Sequence, residues 1–171
     1  MSSQKKNRLW IWFFVFVLVA SIAVAGFMIW FNLRLQLTQE KLDAARARWK
    51  EHGPKDYALT ITTKLPGDHI DTYNVKVRAG KAMEVRLNGE LLRNQETNEV
   101  YRPGDPKLQY YTMDRLFVYL DAFLEADAKK QEKNHIIAIF NEQTGAVEYF
   151  VRSERVSRMH VEEKVTLEPL P

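Results

Sequence analysis

Within "VRSERVSRMH", residues 151–160, Ser153, Ser157, His160 and Glu154 supply hydroxyls, an imidazole and a carboxylate. Those are the groups a nucleophile and its general base require. The stretch has no strand-to-helix nucleophile elbow and no glycine-rich oxyanion turn, and closeness in sequence does not make a catalytic geometry. No catalytic residue is expected here. The same stretch carries Arg152, Arg155 and Arg158, whose planar guanidinium groups grip carboxylates or phosphates through paired hydrogen bonds. They stand as candidate partner contacts, against the plainer reading of a solvated loop partly neutralised by Glu154.

Asp68, His69 and Asp71 are ordinary ligand types for a divalent metal. They fall in a predicted hairpin loop, and no second histidine–carboxylate group has ligand spacing, so a solvated loop is the better reading. Neither a metal nor a cofactor is expected. Tyr101, Tyr110 and Tyr111 cluster in and after a long polar segment. They are candidate partner contacts too, because aromatic residues and arginine are enriched at protein interfaces. Asp121, Glu125 and Asp127 read as the wet face of a helix.

Composition narrows the classes further. The 171 residues contain no cysteine, which removes disulfides, thiolate zinc sites and a cysteine nucleophile. The net charge of +3 is an N-terminal flank: Lys5, Lys6 and Arg8 are three of the 25 basic residues, no acid precedes Glu40, and residues 32–171 balance at 22 basic and 22 acidic. A neutral outer part lacks the field that phosphate backbones require, so nucleic acid is not expected as a partner.

The elements that position these residues begin with "LWIWFFVFVLVASIAVAGFMIWF", residues 9–31, which holds no charge. As a helix it spans about 34 Å, enough for a hydrocarbon core of about 30 Å. Trp10, Trp12 and Trp30 sit where aromatic belts meet the two headgroup levels. Ala23-Val24-Ala25 resembles a signal-peptide cleavage site, but the apolar run continues well past it, so an uncleaved anchor is expected. Lys5, Lys6 and Arg8 against Arg34 alone predict a cytoplasmic N-terminus and an extracytoplasmic bulk. With no ionisable residue in the span, it offers neither proton relay nor cofactor ligand. Its small residues Ala20, Ser21, Ala23, Ala25 and Gly26 suit packing on neighbouring helices.

Residues 32–53 are expected to continue as a stalk helix with Leu42, Ala45 and Trp49 on one face. Gly53, in a left-handed cap, and Pro54 end it. With Trp49 they form a structural joint. Beyond it the period changes to two: Tyr57, Leu59, Ile61, Thr63 and Leu65, then Tyr73, Val75 and Val77, then Met83, Val85 and Leu87 predict a three-strand meander. Residues 93–109 form a long loop, either functional or mobile. Thr112 caps a helix over 112–128 patterned by Met113, Leu116, Phe117, Leu120, Phe123 and Leu124. Three more strands follow: Ile136 to Phe140; Val147, Tyr149 and Val151 after a hairpin with Gly145 at positive φ; and Met159, Val161, Glu163, Val165 and Leu167.

The order predicts an α+β outer domain over 54–171, an antiparallel sheet of about six strands, βββ-α-βββ, with helices on one face. It follows a basic tail (1–8), a transmembrane helix (9–31) and the stalk (32–53). Trp49 is expected to cover the part of the sheet that the second helix cannot.

The spacing of Trp49, "DYALTI", "VKVRAGKAMEVRLNGE", "YTMDRLFVYLDAF" and "FNEQTGAVEYFV" resembles the bacterial domain-of-unknown-function family six-one-seven-four over about residues 45–168. The resemblance implies a secreted or membrane-anchored single domain and carries no catalytic residue. The chain departs from the family in lacking a cysteine pair and in reading Gly145-Ala146-Val147 where members have Gly-Tyr-Pro. Together these observations lead to two expectations. The first is a non-catalytic accessory subunit of a larger complex, such as a respiratory or photosynthetic one, in a bacterial inner membrane, with the bilayer and other membrane subunits as partners. The second is a membrane-anchored extracytoplasmic ligand-binding module.

Overall fold

The computed structural model describes residues 3–65, 67, 69–130, 134–154 and 159–171, in two compact units, 1–36 and 37–171. In the first unit helix α1, Ser3–Leu35, contains an apolar run of 22 residues, Trp10–Phe31, that is long enough to cross a membrane and exposed throughout. Ser21, the one hydroxylic residue of that run, returns its hydroxyl to the Val17 carbonyl at 2.8 Å, so no side-chain hydroxyl of the run is left bare on an apolar surface.

The predicted stalk does not run on as one helix. Residues 36–38 interrupt it, and α2, Gln39–His52, belongs to the second unit. Two forces make the break. Leu37 is buried, and its N–H donates to the Ile136 carbonyl at 2.8 Å. Thr38, in an extended conformation, accepts the Lys41 N–H on its hydroxyl, an N-cap. At the other end Gly53 is extended, φ −67°, and not a left-handed cap. Its missing side chain matters for another reason: a Cβ there would lie 2.4 Å from the Trp49 carbonyl and 2.6 Å from the Trp49 ring.

The sheet has seven strands: β1 (Tyr57–Leu65), β2 (His69–Arg78), β3 (Lys81–Leu87), β4 (Glu90–Leu91), β5 (His135–Phe140), β6 (Val147–Ser153) and β7 (His160–Pro169). All neighbours are antiparallel in the order β4-β3-β2-β1-β7-β6-β5. The added strand β4 comes from Asn88-Gly89, both at positive φ, which make the two-residue hairpin that this dipeptide favours. The predicted inward Met83 is exposed and Ala82 is buried instead, because a bulge at Lys76/Val77 shifts the β2–β3 register by one. The 93–109 loop is tied down by an Arg93–Val100 bridge and by Gly104 N–H donating to the Ala82 carbonyl. It ends in a 3-10 helix, Pro106–Tyr111.

Helix α3, Met113–Lys130, follows. Thr112 precedes it in an extended conformation, but its hydroxyl donates back to Gln109 rather than capping forward. Helices α2 and α3 share one core with the inward row of the sheet, Tyr57, Leu59, Ile61, Val75, Val77, Phe150 and Val165. The opposite face is polar, with pairs such as Lys76–Glu84 and Tyr149–Glu162. Trp49 is buried at 6 % exposure, edge-on to Tyr57, and donates its indole N–H to Asp114 at 3.0 Å. Gly145, at φ +75°, seats the β5–β6 turn so close to α2 that a Cβ would meet the Ala45 carbonyl at 2.3 Å. Pro54 is half-buried just beyond the helix end.

Candidate functional site

Strand alternation places a row of polar side chains at the end of the inward face. Thr63 on β1 lies opposite Asp71 on β2 and Glu163 on β7, and the next row is Ile61, Tyr73 and Val165. Above these rows the 3-10 helix brings Tyr110 and Tyr111, and the first turns of α3 bring Arg115, Leu116 and Tyr119. They enclose an open cleft of about 430 Å³. That is within the size range of small-molecule sites, which are mostly apolar with a few converging polar groups.

The half-buried carboxylate of Glu163 sets the electrostatics. Burial pushes Glu163 up to about 7, opposed only by a hydrogen bond to Thr63, because removing a carboxylate from water penalises its charged form. Its partner on β6, Phe150, is fully buried. Burial also raises the phenols of Tyr73 and Tyr111, the first helped by the negative charges of Asp71 and Glu163, so both keep their protons at neutral pH. Their rings lie 4.9 Å apart, tilted by 31°. The Arg115 guanidinium sits 4.5 Å over the Tyr110 ring, and its Nε is buried without a hydrogen-bond partner among the described residues. Asp71 faces His69 Nε2 at 3.1 Å and accepts from Asn88 at 3.2 Å.

Of the residues singled out in the sequence, Tyr110 and Tyr111 line this cleft, whereas Tyr101 lines a separate cavity of about 200 Å³ against β3 and β4. Arg152 is no surface contact. It is buried, with Asp127 at 2.9 Å, Glu154 at 3.0 Å and the Phe123 ring at 4.1 Å. Arg155, Arg158, Ser157 and Asp68 lie outside the described residues. Ser153 Oγ and His160 Nδ1 do meet, at 2.9 Å, on the sheet face opposite Arg152. Glu154 is drawn away from them into its ion pair with Arg152. Asp121 and Asp127 are not merely a wet face. Asp121 accepts from Gln39 and Arg46 on α2, which hold its carboxyl below the usual range, and Asp127 pairs with Arg152. Among the described residues no three His, Cys, Asp or Glu side chains converge as metal ligands.

Sequence reasoning missed Asp71, Tyr73, Arg115, Tyr119 and Glu163 as one site. A signal existed for Glu163: in the alternation Val161, Glu163, Val165, Leu167 a carboxylate occupies an inward position, and a buried ionisable group with a shifted pKa in a cleft is a mark of function. The other four become neighbours only through strand register and helix packing. No protein-family model, characterised protein or solved structure matches the chain.

Proposed function

We propose that the chain is a membrane-anchored, non-catalytic module, its second unit extracytoplasmic, that holds a small ligand in the cleft between α3 and the sheet. The observation that carries this is Glu163, a half-buried carboxylate on the inward face of the sheet with no ion partner among the described residues, at the floor of a roomy aromatic cleft. A carboxylate in that position costs stability unless something else uses it. The anchor rests on the 22-residue apolar helix, on its tryptophans Trp10, Trp12 and Trp30, which are exposed, and on the basic flank of Lys5, Lys6 and Arg8. The test is a thermal-shift screen of the full-length protein in non-ionic detergent against a chemically broad small-molecule library. Compounds that raise Tm by several degrees should lose their effect in Tyr110→Ala and Tyr119→Ala. A library with no such compound overturns the reading.

A second reading, an accessory subunit of a larger bacterial membrane complex, is favoured by the uniformly exposed span and its small residues Ala20, Ser21, Ala23, Ala25 and Gly26, which allow close helix packing. Extraction in mild detergent followed by native sizing tests it. Migration as a lone species of about 20 kDa in its micelle rejects it.

A further inference from the structure

Building on the ligand-binding reading above, we propose that the cleft selects a small organic ammonium ion, with Glu163 as its counter-ion and tyrosine rings as its walls. Three observations converge on that class of ligand. The cleft floor carries two carboxylates, Asp71 and Glu163, against one cation, Arg115, so an anionic ligand would meet net repulsion. That cation is already engaged with the face of Tyr110. Glu163 has the Thr63 hydroxyl beside it and no cation within ion-pair distance among the described residues.

Tyr73, Tyr111 and Tyr119 add π-surface, and the negative face of an aromatic ring attracts ammonium groups, more strongly when water is displaced. A carboxylate and an ammonium ion in such surroundings attract each other far more than in water. A neutral ligand of the same shape would leave Glu163 as unpaired as before.

The ionisable groups facing Glu163 are Asp71 and Tyr73 from β2, Tyr110 and Tyr111 from the 3-10 helix, and Arg115 and Tyr119 from α3; β1 contributes Thr63 and β6 the apolar Phe150. Because burial holds Glu163 near 7, the free protein is partly protonated there at neutral pH. An arriving cation favours the carboxylate and expels that proton, so binding and proton release are linked. If only the ionised form binds, affinity rises about tenfold between pH 6 and pH 8 for a ligand whose own charge does not titrate.

The experiment is isothermal titration of the full-length protein, in non-ionic detergent, with choline and phenyltrimethylammonium. The comparison ligands are the neutral isostere 3,3-dimethylbutan-1-ol and the anion benzoate. The expected result is binding of a cation at least tenfold tighter than its isostere, strengthening about tenfold from pH 6 to 8, with about half a proton released per cation bound at pH 7. Glu163→Gln, which keeps the shape of the protonated acid, should abolish the discrimination and the pH dependence together. Equal or tighter binding of isostere or benzoate, or cation binding unmoved by Glu163→Gln, overturns the ammonium assignment while leaving a ligand-binding cleft in place. If neither cation binds and the broad library also yields no compound sensitive to Tyr110→Ala, the assignment and the ligand-binding reading fall together.

Discussion

Arg152 and Glu163 lie on neighbouring strands and point to the same side of the sheet, yet their surroundings are opposite. Arg152 is buried against two carboxylates and an aromatic face, whereas Glu163 has a threonine hydroxyl and a cleft. The surroundings of Arg152, and separately those of Trp49 and Gly145 at the other end of α2 and α3, are closed by side chains that fit one another, and the buried charge of Arg152 is neutralised from within. The region around Glu163 is roofed by tyrosines and an arginine that leave a space, and its half-buried charge is left for something outside the chain. An inward-facing charge alone therefore does not mark a site; one that the fold fails to neutralise does.

The largest effects that test this contrast should come from the closed regions. Trp49→Ala is expected to cost about 3–5 kcal/mol in denaturant titration of the full-length protein, the usual range for emptying a buried aromatic position; a loss under about 1 kcal/mol would mean that the region is not tightly packed. Arg152→Ala should cost about 3 kcal/mol or more, because it removes the guanidinium that neutralises the partly buried Asp127 and Glu154 carboxylates. Adding Asp127→Asn and Glu154→Gln should return part of that loss, and a triple variant as unstable as the single one would show that the guanidinium matters through packing alone.

In the cleft the sign reverses. With its folded pKa near 7 against an ordinary 4.5, Glu163 binds more protons in the folded than in the unfolded state between those values. Its contribution to stability is therefore present at low pH and lost as pH rises toward 7. Glu163→Gln should accordingly melt higher than the parent protein above pH 7, with the difference shrinking toward pH 4.5; equal melting at every pH would show the carboxylate to be well solvated. The smallest effect is expected from Tyr119→Ala. Half-exposed as Tyr119 is, its loss should shift stability by about 0.5 kcal/mol or less while removing ligand-dependent thermal shifts.

What the sequence made legible follows the range of the interactions involved. The alternation of β1 and β2, the α3 stripe and the positive-φ Gly145 are local patterns, and each appears where its period placed it; in β3 and β6 bulges move the inward positions from Met83 to Ala82 and from Tyr149 and Val151 to Phe150 and Arg152. Trp49 could be expected to cover the sheet because a large apolar side chain on a polar helix needs a home. Asn88-Gly89 is also local, and its hairpin was there to be read. The break before α2 was legible only in its local half, the Thr38 cap; its other half depends on Leu37 reaching the Ile136 carbonyl about a hundred residues away. Arg152 looked free for the same reason, since its acid Asp127 comes from a different element. The cleft combines both difficulties: each tyrosine and acid is visible singly, but only the pairing of Thr63 with Asp71 and Glu163 makes them one surface.

The strand order carries a consequence for how the molecule is made. The chain enters the sheet at its middle, runs outward to β4, is carried by α3 to the opposite edge, and returns inward until β7 pairs with β1. The central ladder thus joins segments made about a hundred residues apart. Throughout synthesis of the intervening residues, β1 and then β6 each present an unpaired edge, the kind that invites pairing with other chains. The same return journey that leaves those edges open delivers Glu163, so the cleft has no floor until the sheet is whole.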